Sequence, residues 1–224
     1  MWRRVALRRV GRASSAAARR GRVTIKVMPS PLGPRPGRVL SRSVSRLASL
    51  VALCALAASA ATLRGPATVE SLTASSDLVV RAKVSAARSA WGDGGPRSGA
   101  IFTTVSLAAS EWWKGSGPEQ VVVRTPGGAV GEWDQTVHGA PAFRDGEEVV
   151  VFLKRRAGTP DAAPVFEVQQ WALGKFAVSS TKAGVRAARD RTGLTCVGCG
   201  ADEADELALE ELRGRVLAAA REHK

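Results

Sequence analysis

Acid–base chemistry in this chain has one place to happen. Its two histidines are His138 and His223, and His223 is the penultimate residue, so general acid–base or triad catalysis would have to run through His138. His138 sits in GEWDQTVHGAP with Asp134 four residues earlier, a spacing that puts both side chains on one face of an extended strand. No serine stands in a strained Gly-flanked elbow nearby, and there is no HExxH for a zinc peptidase. An enzyme using His138 with Asp134 is one reading, and a solvent-facing strand or loop histidine is the plainer one. Gly127, Gly128 and Gly131 form a glycine-rich stretch, but phosphate-cradling loops feed a helix N-terminus, and the GEWDQTV that follows alternates like a strand. Pro126-Gly127-Gly128 is therefore expected to be a tight turn. No catalytic residue, cofactor or metal is assigned.

Cys196-Val-Gly-Cys199 is the other spacing with chemical meaning. Zinc needs about four ligands. With no second CxxC and His138 distant in sequence, a closed site would require a second chain. A thioredoxin-like pair wants its first cysteine at a helix N-terminus in a βαβ setting. Here Asp202, Glu203, Asp205 and Glu206 follow, and acids disfavour a thiolate. Of the three cysteines, Cys54 falls in the leader discussed below, which leaves an even count and makes a local Cys196–Cys199 disulfide the economical reading in an oxidising compartment. Closing so short a loop adds at most about 2 kcal/mol. A redox pair and a metal half-site stay open.

Five of the six tryptophans, at 91, 112, 113, 133 and 171, lie beyond the leader, and tyrosine is absent. Trp112 and Trp113 are adjacent, so in a strand they point to opposite faces and one should meet solvent. Together with Trp133, which follows the glycine-rich turn, they could form an exposed aromatic face of the kind that holds sugars or peptides. The alternative is that they fill cores and anchor loops.

These residues need elements to hold them. Pro66 to Leu72 could form one or two helical turns capped by Thr68. In SSDLVVRAKV, Leu78, Val80, Ala82 and Val84 share one face of a strand, and Val79, Arg81, Lys83 and Ser85 the other. AIFTTVSLA places Ile101, Thr103, Val105 and Leu107 together, and EQVVVRT sets Val121 and Val123 opposite Gln120 and Arg124. EEVVVFLK at 147–154 is continuously apolar, as expected of a central strand covered on both faces. PVFEVQQ and ALGKFAVS return to alternation through Phe166, Val168, Phe176 and Val178, with WGDGGPRSG, TPGG and RRAGTPDAAP as connections. About six short strands predict a mainly β fold, a small antiparallel barrel (OB-like) or a sandwich, over 61–190. A CxxC linker at 191–201 then leads to an amphipathic helix over 202–222. Acids stand at its start, Arg213, Arg215 and Arg221 toward its end, and Leu209, Leu212, Val216 and Ala220 along its apolar stripe.

Residues 1–64 hold 14 Lys/Arg and no acid, leaving 19 of the 33 basic residues against all 20 acids in the remainder, so the overall net charge of +13 belongs to the leader. Nucleic acid is not an expected partner of the near-neutral folded part. LASLVALCALAASAA from Leu47 is a 15-residue apolar run ending in Ala58-Ser59-Ala60, the small-x-small pattern of a signal peptidase site. A leader and signal peptide over 1–60, with cleavage between Ala60 and Ala61, directs the chain to the periplasm or the outside. Met28 is an alternative true start. The alternative to cleavage is an inner-membrane anchor at 47–63, and a membrane is a partner only if the leader stays uncleaved; a transit peptide is a lesser option.

SSDLVVRAKV, EWWKG, VVVRTPGG, GEEVVVFL and ALGKFAV together resemble a family of uncharacterised secreted bacterial proteins of the myxobacterial type, over roughly Val69 to Val178. The resemblance implies export and a β architecture. Because some members carry or neighbour matrixin-like metalloproteases, it also implies an accessory role to such an enzyme. SDLVVRAKV is separately similar to the first strand of netrin-like modules, including tissue inhibitors of metalloproteinases, which are OB-type barrels. Those inhibitors chelate the protease zinc through a free N-terminal cysteine. Here the expected mature start is Ala61-Thr62-Leu63 with no cysteine before 196, so that chemistry is not available. The expectation is an exported, non-enzymatic binding module for an extracytoplasmic ligand or protein. Competing readings are the His138/Asp134 enzyme, a membrane-anchored envelope protein and the protease accessory.

Overall fold

The computed structural model describes residues 6–9, 61–93, 95–199 and 204–222. Most of the leader, including Met28, Cys54 and Ala60, lies outside the described residues, as do Asp202, Glu203 and His223. The strands are β1 (Ala6–Arg9), β2 (Ala61–Arg64), β3 (Leu78–Trp91), β4 (Ile101–Lys114), β5 (Gln120–Pro126), β6 (Gly128–Val130), β7 (Trp133–Thr136), β8 (Glu148–Arg155), β9 (Val165–Val168), β10 (Lys175–Thr181), β11 (Gly184–Ala188), β12 (Leu194–Val197) and β13 (Glu206–Ala208). The helices are α1 (Val69–Ser75) and α2 (Leu209–Glu222).

The fold is mainly β. Eight strands form one sheet in the order β13-β11-β10-β8-β3-β4-β5-β9, and β9 also pairs with β8, so that β8, β3, β4, β5 and β9 make a ring. Every pairing around this ring is antiparallel except β5 with β9, where Val122 and Val123 lie parallel to Val165 and Phe166. The one parallel seam in this mainly antiparallel ring has a reason of parity. Five strands cannot alternate direction all the way round, so one pair must run parallel. Irregularities in the long β3–β4 ladder at Val79/Val80, Arg81/Ala82 and Val84/Ala86 supply the bends that curl the hairpin into the ring.

EVVVFLKR builds two cores at once. Val149, Val151 and Leu153 of β8 point into the ring with Val80, Val84, Val105, Leu107 and Val123. Val150 and Phe152 point out, against Val79, Trp113 and Phe176 and beneath Leu72 of α1 and Leu212 and Val216 of α2. α1 begins where expected, with Thr68 accepting the Ser71 N–H at 3.2 Å. Its last turn has no basic residue of its own, and Lys114 from the end of β4 donates to the Thr73 and Ser76 carbonyls, both at 2.7 Å.

Three expectations change. The helix starts at Leu209 rather than at 202, because Glu206–Ala208 pairs with β11 and the acids before it serve ion pairs: Asp205 with Arg189 and Arg191, and Glu206 with Arg186. Its apolar stripe is Leu209, Leu212, Val216 and Ala219, with Ala220 only half-buried. Within the stretch expected as a linker, Leu194–Val197 forms β12 and pairs in parallel with β2. Pro126-Gly127-Gly128 is not a hairpin turn. It carries the chain from the large sheet into a second sheet of β6, β7 and β1, and Gly131-Glu132 is the turn between β6 and β7. Gly128 has φ +127, and a Cβ there would overlap the hydroxyls of Ser89 and Thr103.

Arg215 grips Glu70 with two hydrogen bonds, 2.8 and 2.9 Å, and joins α2 to α1. The guanidinium holds the Glu70 carboxyl below its ordinary 4.5. A carboxyl lowered in the folded state adds stability above its unfolded value and loses it as pH falls through the lowered one. Half of the Glu70 side chain faces solvent, so the effect is small. Thermal unfolding between about pH 6 and about pH 3 should show a smaller acid-induced loss in Arg215→Gln than in the wild type. An equal loss contradicts the pairing.

Candidate functional site

The three tryptophans expected to form one face are not brought together. Trp112 and Trp113 do point to opposite sides of β4, but both sides are covered. Trp113 is 3% exposed in the core under the helices, and half-buried Trp112 packs against the core of the ring. Only Trp133 is exposed, and it meets Trp91 edge-on with ring centroids 6.3 Å apart.

His138 lies in an exposed turn beyond the end of β7, so it does not continue the strand face that carries Asp134. The two are not hydrogen-bonded to each other; the Asp134 carboxylate accepts from the Thr136 hydroxyl at 3.3 Å. Among the described residues, no three His, Cys, Asp or Glu side chains come together in a way that could hold a metal ion. Cys196 and Cys199 are bonded to each other, with Cα atoms 5.7 Å apart. Cys199 is buried in a small satellite core with Ala67 and Leu173, onto which Leu63 of β2 and Leu194 of β12 pack.

The structure offers a different site on the outside of the ring. Residues directly opposite one another in an antiparallel ladder share a face. Arg88 of β3 opposes Thr104 of β4, which opposes Arg124 of β5, and all three stand in one outward row. The next row is Ala90, Phe102 and Pro126. Over these rows lie two hollows, of about 220 and about 500 Å³, that share Phe102, Arg124 and Arg156 as walls. Trp171 closes the smaller one and Trp91 the larger.

Each wall has a local cause. The Arg124 guanidinium stacks over the Phe102 ring at 4.0 Å from its centroid, a cation–π contact that restrains both side chains. Arg156 is paired with Glu167 at 3.6 Å, whereas Arg88 and Arg124 have no carboxylate partner among the described residues. Gln170 and Trp171 both sit in the left-handed region, at φ 51° and 58°, which costs a non-glycine residue about 1–2 kcal/mol. The turn they form leads into buried Ala172 and Leu173 and leaves the Trp171 ring in the groove wall. A third hollow of about 160 Å³ is balanced in charge, with Arg144 and Lys175 against Glu147 and Asp190, and its Lys175 donates to Glu147 at 2.8 Å and to the Ala142 carbonyl at 2.6 Å.

No protein-family model matches the chain, and no curated protein matches it.

The placement of the tryptophans sets a clear contrast. Trp113→Ala should lose about 3–5 kcal/mol of stability, and Trp133→Ala less than about 1 kcal/mol, read from urea unfolding. Reducing the Cys196–Cys199 bond in the wild type should cost no more than about 2 kcal/mol, since the loop it closes is short. Replacing both cysteines with Ser should cost more than reduction does, because Cys199 is buried in an apolar cluster.

Proposed function

We propose that this chain is an exported binding module whose ligand lies in the groove over Phe102 and Arg124. The observation that carries this function is convergence: two hollows on one face share an aromatic ring and a guanidinium, that of Arg124, which has no acidic partner among the described residues. Such a pairing is suited to holding a molecule, the ring by contact area and the guanidinium by orientation. The ionisable groups of the groove are Arg124, Arg156 and Glu167, and Glu167 is engaged by Arg156. None of these is a nucleophile, and His138 and Asp134 belong to neither hollow.

Export is supported by the leader and its Ala58-Ser59-Ala60 site. The strand β2 (Ala61–Arg64) follows that site in the sequence. Its backbone is paired with β12, which carries Cys196, and a disulfide suits an oxidising compartment. The same cleavage would release β1 from the edge of β7.

Two measurements test this function. The intact mass of the protein from its host's soluble extracytoplasmic fraction should correspond to a start at Ala61 and be two hydrogens lighter before reduction. A full-length species that pellets with membranes overturns export. Screening extracellular glycans and peptides by tryptophan fluorescence, with Trp91 and Trp171 as reporters, should find a ligand that Phe102→Ala binds about tenfold more weakly while melting within a few degrees of the wild type. Ligands that bind both proteins equally would place recognition elsewhere.

A further inference from the structure

We infer that the groove takes an oxyanion carried on a ring: a carboxylate, sulfate or phosphate group held by Arg88 and Arg124, on a sugar ring that lies against Trp91 beside the stacked Arg124–Phe102 pair. The inference rests on the proposed use of the groove as a ligand site and specifies its chemistry. Beyond the leader the chain is close to neutral, yet Arg124 and Arg156 line the hollow that contains Thr104, and Arg88 stands beside it, opposite Thr104 on β3, with Glu167 as the one acid in the lining of the two hollows. That acid is committed to Arg156. The row Arg88–Thr104–Arg124 thus places two arginines on either side of a threonine on one outward face, residue types whose donors match a planar or tetrahedral oxyanion.

The rest of the groove selects the carrier. Phe102 already fixes the plane of one guanidinium by stacking at 4.0 Å, so less side-chain freedom is lost when that fork is occupied. Ala90, Thr104 and Val122, all small or medium-sized side chains, line the larger hollow between Trp91 and Arg156. A flat ring rests on these side chains. Trp91, held edge-on by Trp133, gives it a fixed aromatic wall.

The test is calorimetric titration of the full chain with three probes: trigalacturonate, the same trimer fully methyl-esterified, and inorganic phosphate. The leader's arginines are identical in every variant, so differences between variants read the groove alone. Trigalacturonate should bind wild type about tenfold or more tightly than either other probe, and Arg124→Gln and Arg88→Gln should each lose about tenfold. Arg88 is exposed and its replacement leaves the fold untouched, which keeps the test sound if Arg124→Gln is destabilised. If the ester binds as well as the acid and Phe102→Ala still weakens both, the oxyanion is refuted while the groove stands as a binding site. If phosphate matches the trimer, the ring carrier is refuted. Acid binding that ignores Arg88, Arg124 and Phe102 alike overturns the groove as well, and no binding by any probe overturns the inference.

Discussion

β8 has almost no side chain left for water between its charged ends. Val149, Val151 and Leu153 fill the ring, and Val150 and Phe152 fill the space beneath the two helices, all at 0% exposure. Each such side chain contributes on the order of 1.5–3 kcal/mol by leaving water. The ring alone encloses few residues, and the helices alone have nothing to lie on, so each core exists because the same strand serves the other. The polar ends of β8 mark where this double burial stops: Glu148 pairs with Arg81 at one end, and Lys154 and Arg155 turn to solvent at the other.

The groove is a product of how this ring closes. With five strands one seam has to be parallel, and here that seam is short, ending at Val123 beside Phe166. Past that point the two strands are no longer held together by ladder hydrogen bonds. The next residues, Arg124 and Pro126 on one side and Glu167 and Val168 on the other, line the smaller hollow. Parity requires the parallel seam, and its shortness leaves an opening on the ring's outer face, where the residues carry charge and aromatic surface rather than more valine.

Alternation makes the strands legible in the sequence: the faces of SSDLVVRAKV, the inward set of Ile101, Val105 and Leu107, and the double burial of EEVVVFLK all follow from period two. The cap at Thr68 and the Cys196–Cys199 bond are legible for similarly local reasons. What stays hidden depends on partners distant in sequence. Trp112 and Trp113 look available for binding because nothing in EWWKG says that α1, α2 and the ring will cover both sides of that strand. The acids before the helix suggest an earlier start, but their arginine partners lie 14 to 20 residues upstream on β11 and the turn after it. Arg88, Phe102 and Arg124 are visible as outward residues of their strands, but only the register shows that they meet. Arg156 and Trp171 arrive there from connections whose paths no periodicity describes.

The ring also dictates an order of events. β3 must wait for β8, and β5 for β9, so no barrel exists until the chain has reached Val168. β2 waits longer still, because its partner β12 follows nearly all the rest of the fold. Pairings between such remote segments carry a large loop-closure cost and make for slow folding. A chain threaded N-terminus first through a membrane pore would keep its early strands unsatisfied throughout transit. It would become compact only when the last strands emerge, with the cysteine pair beside the final strand to be sealed.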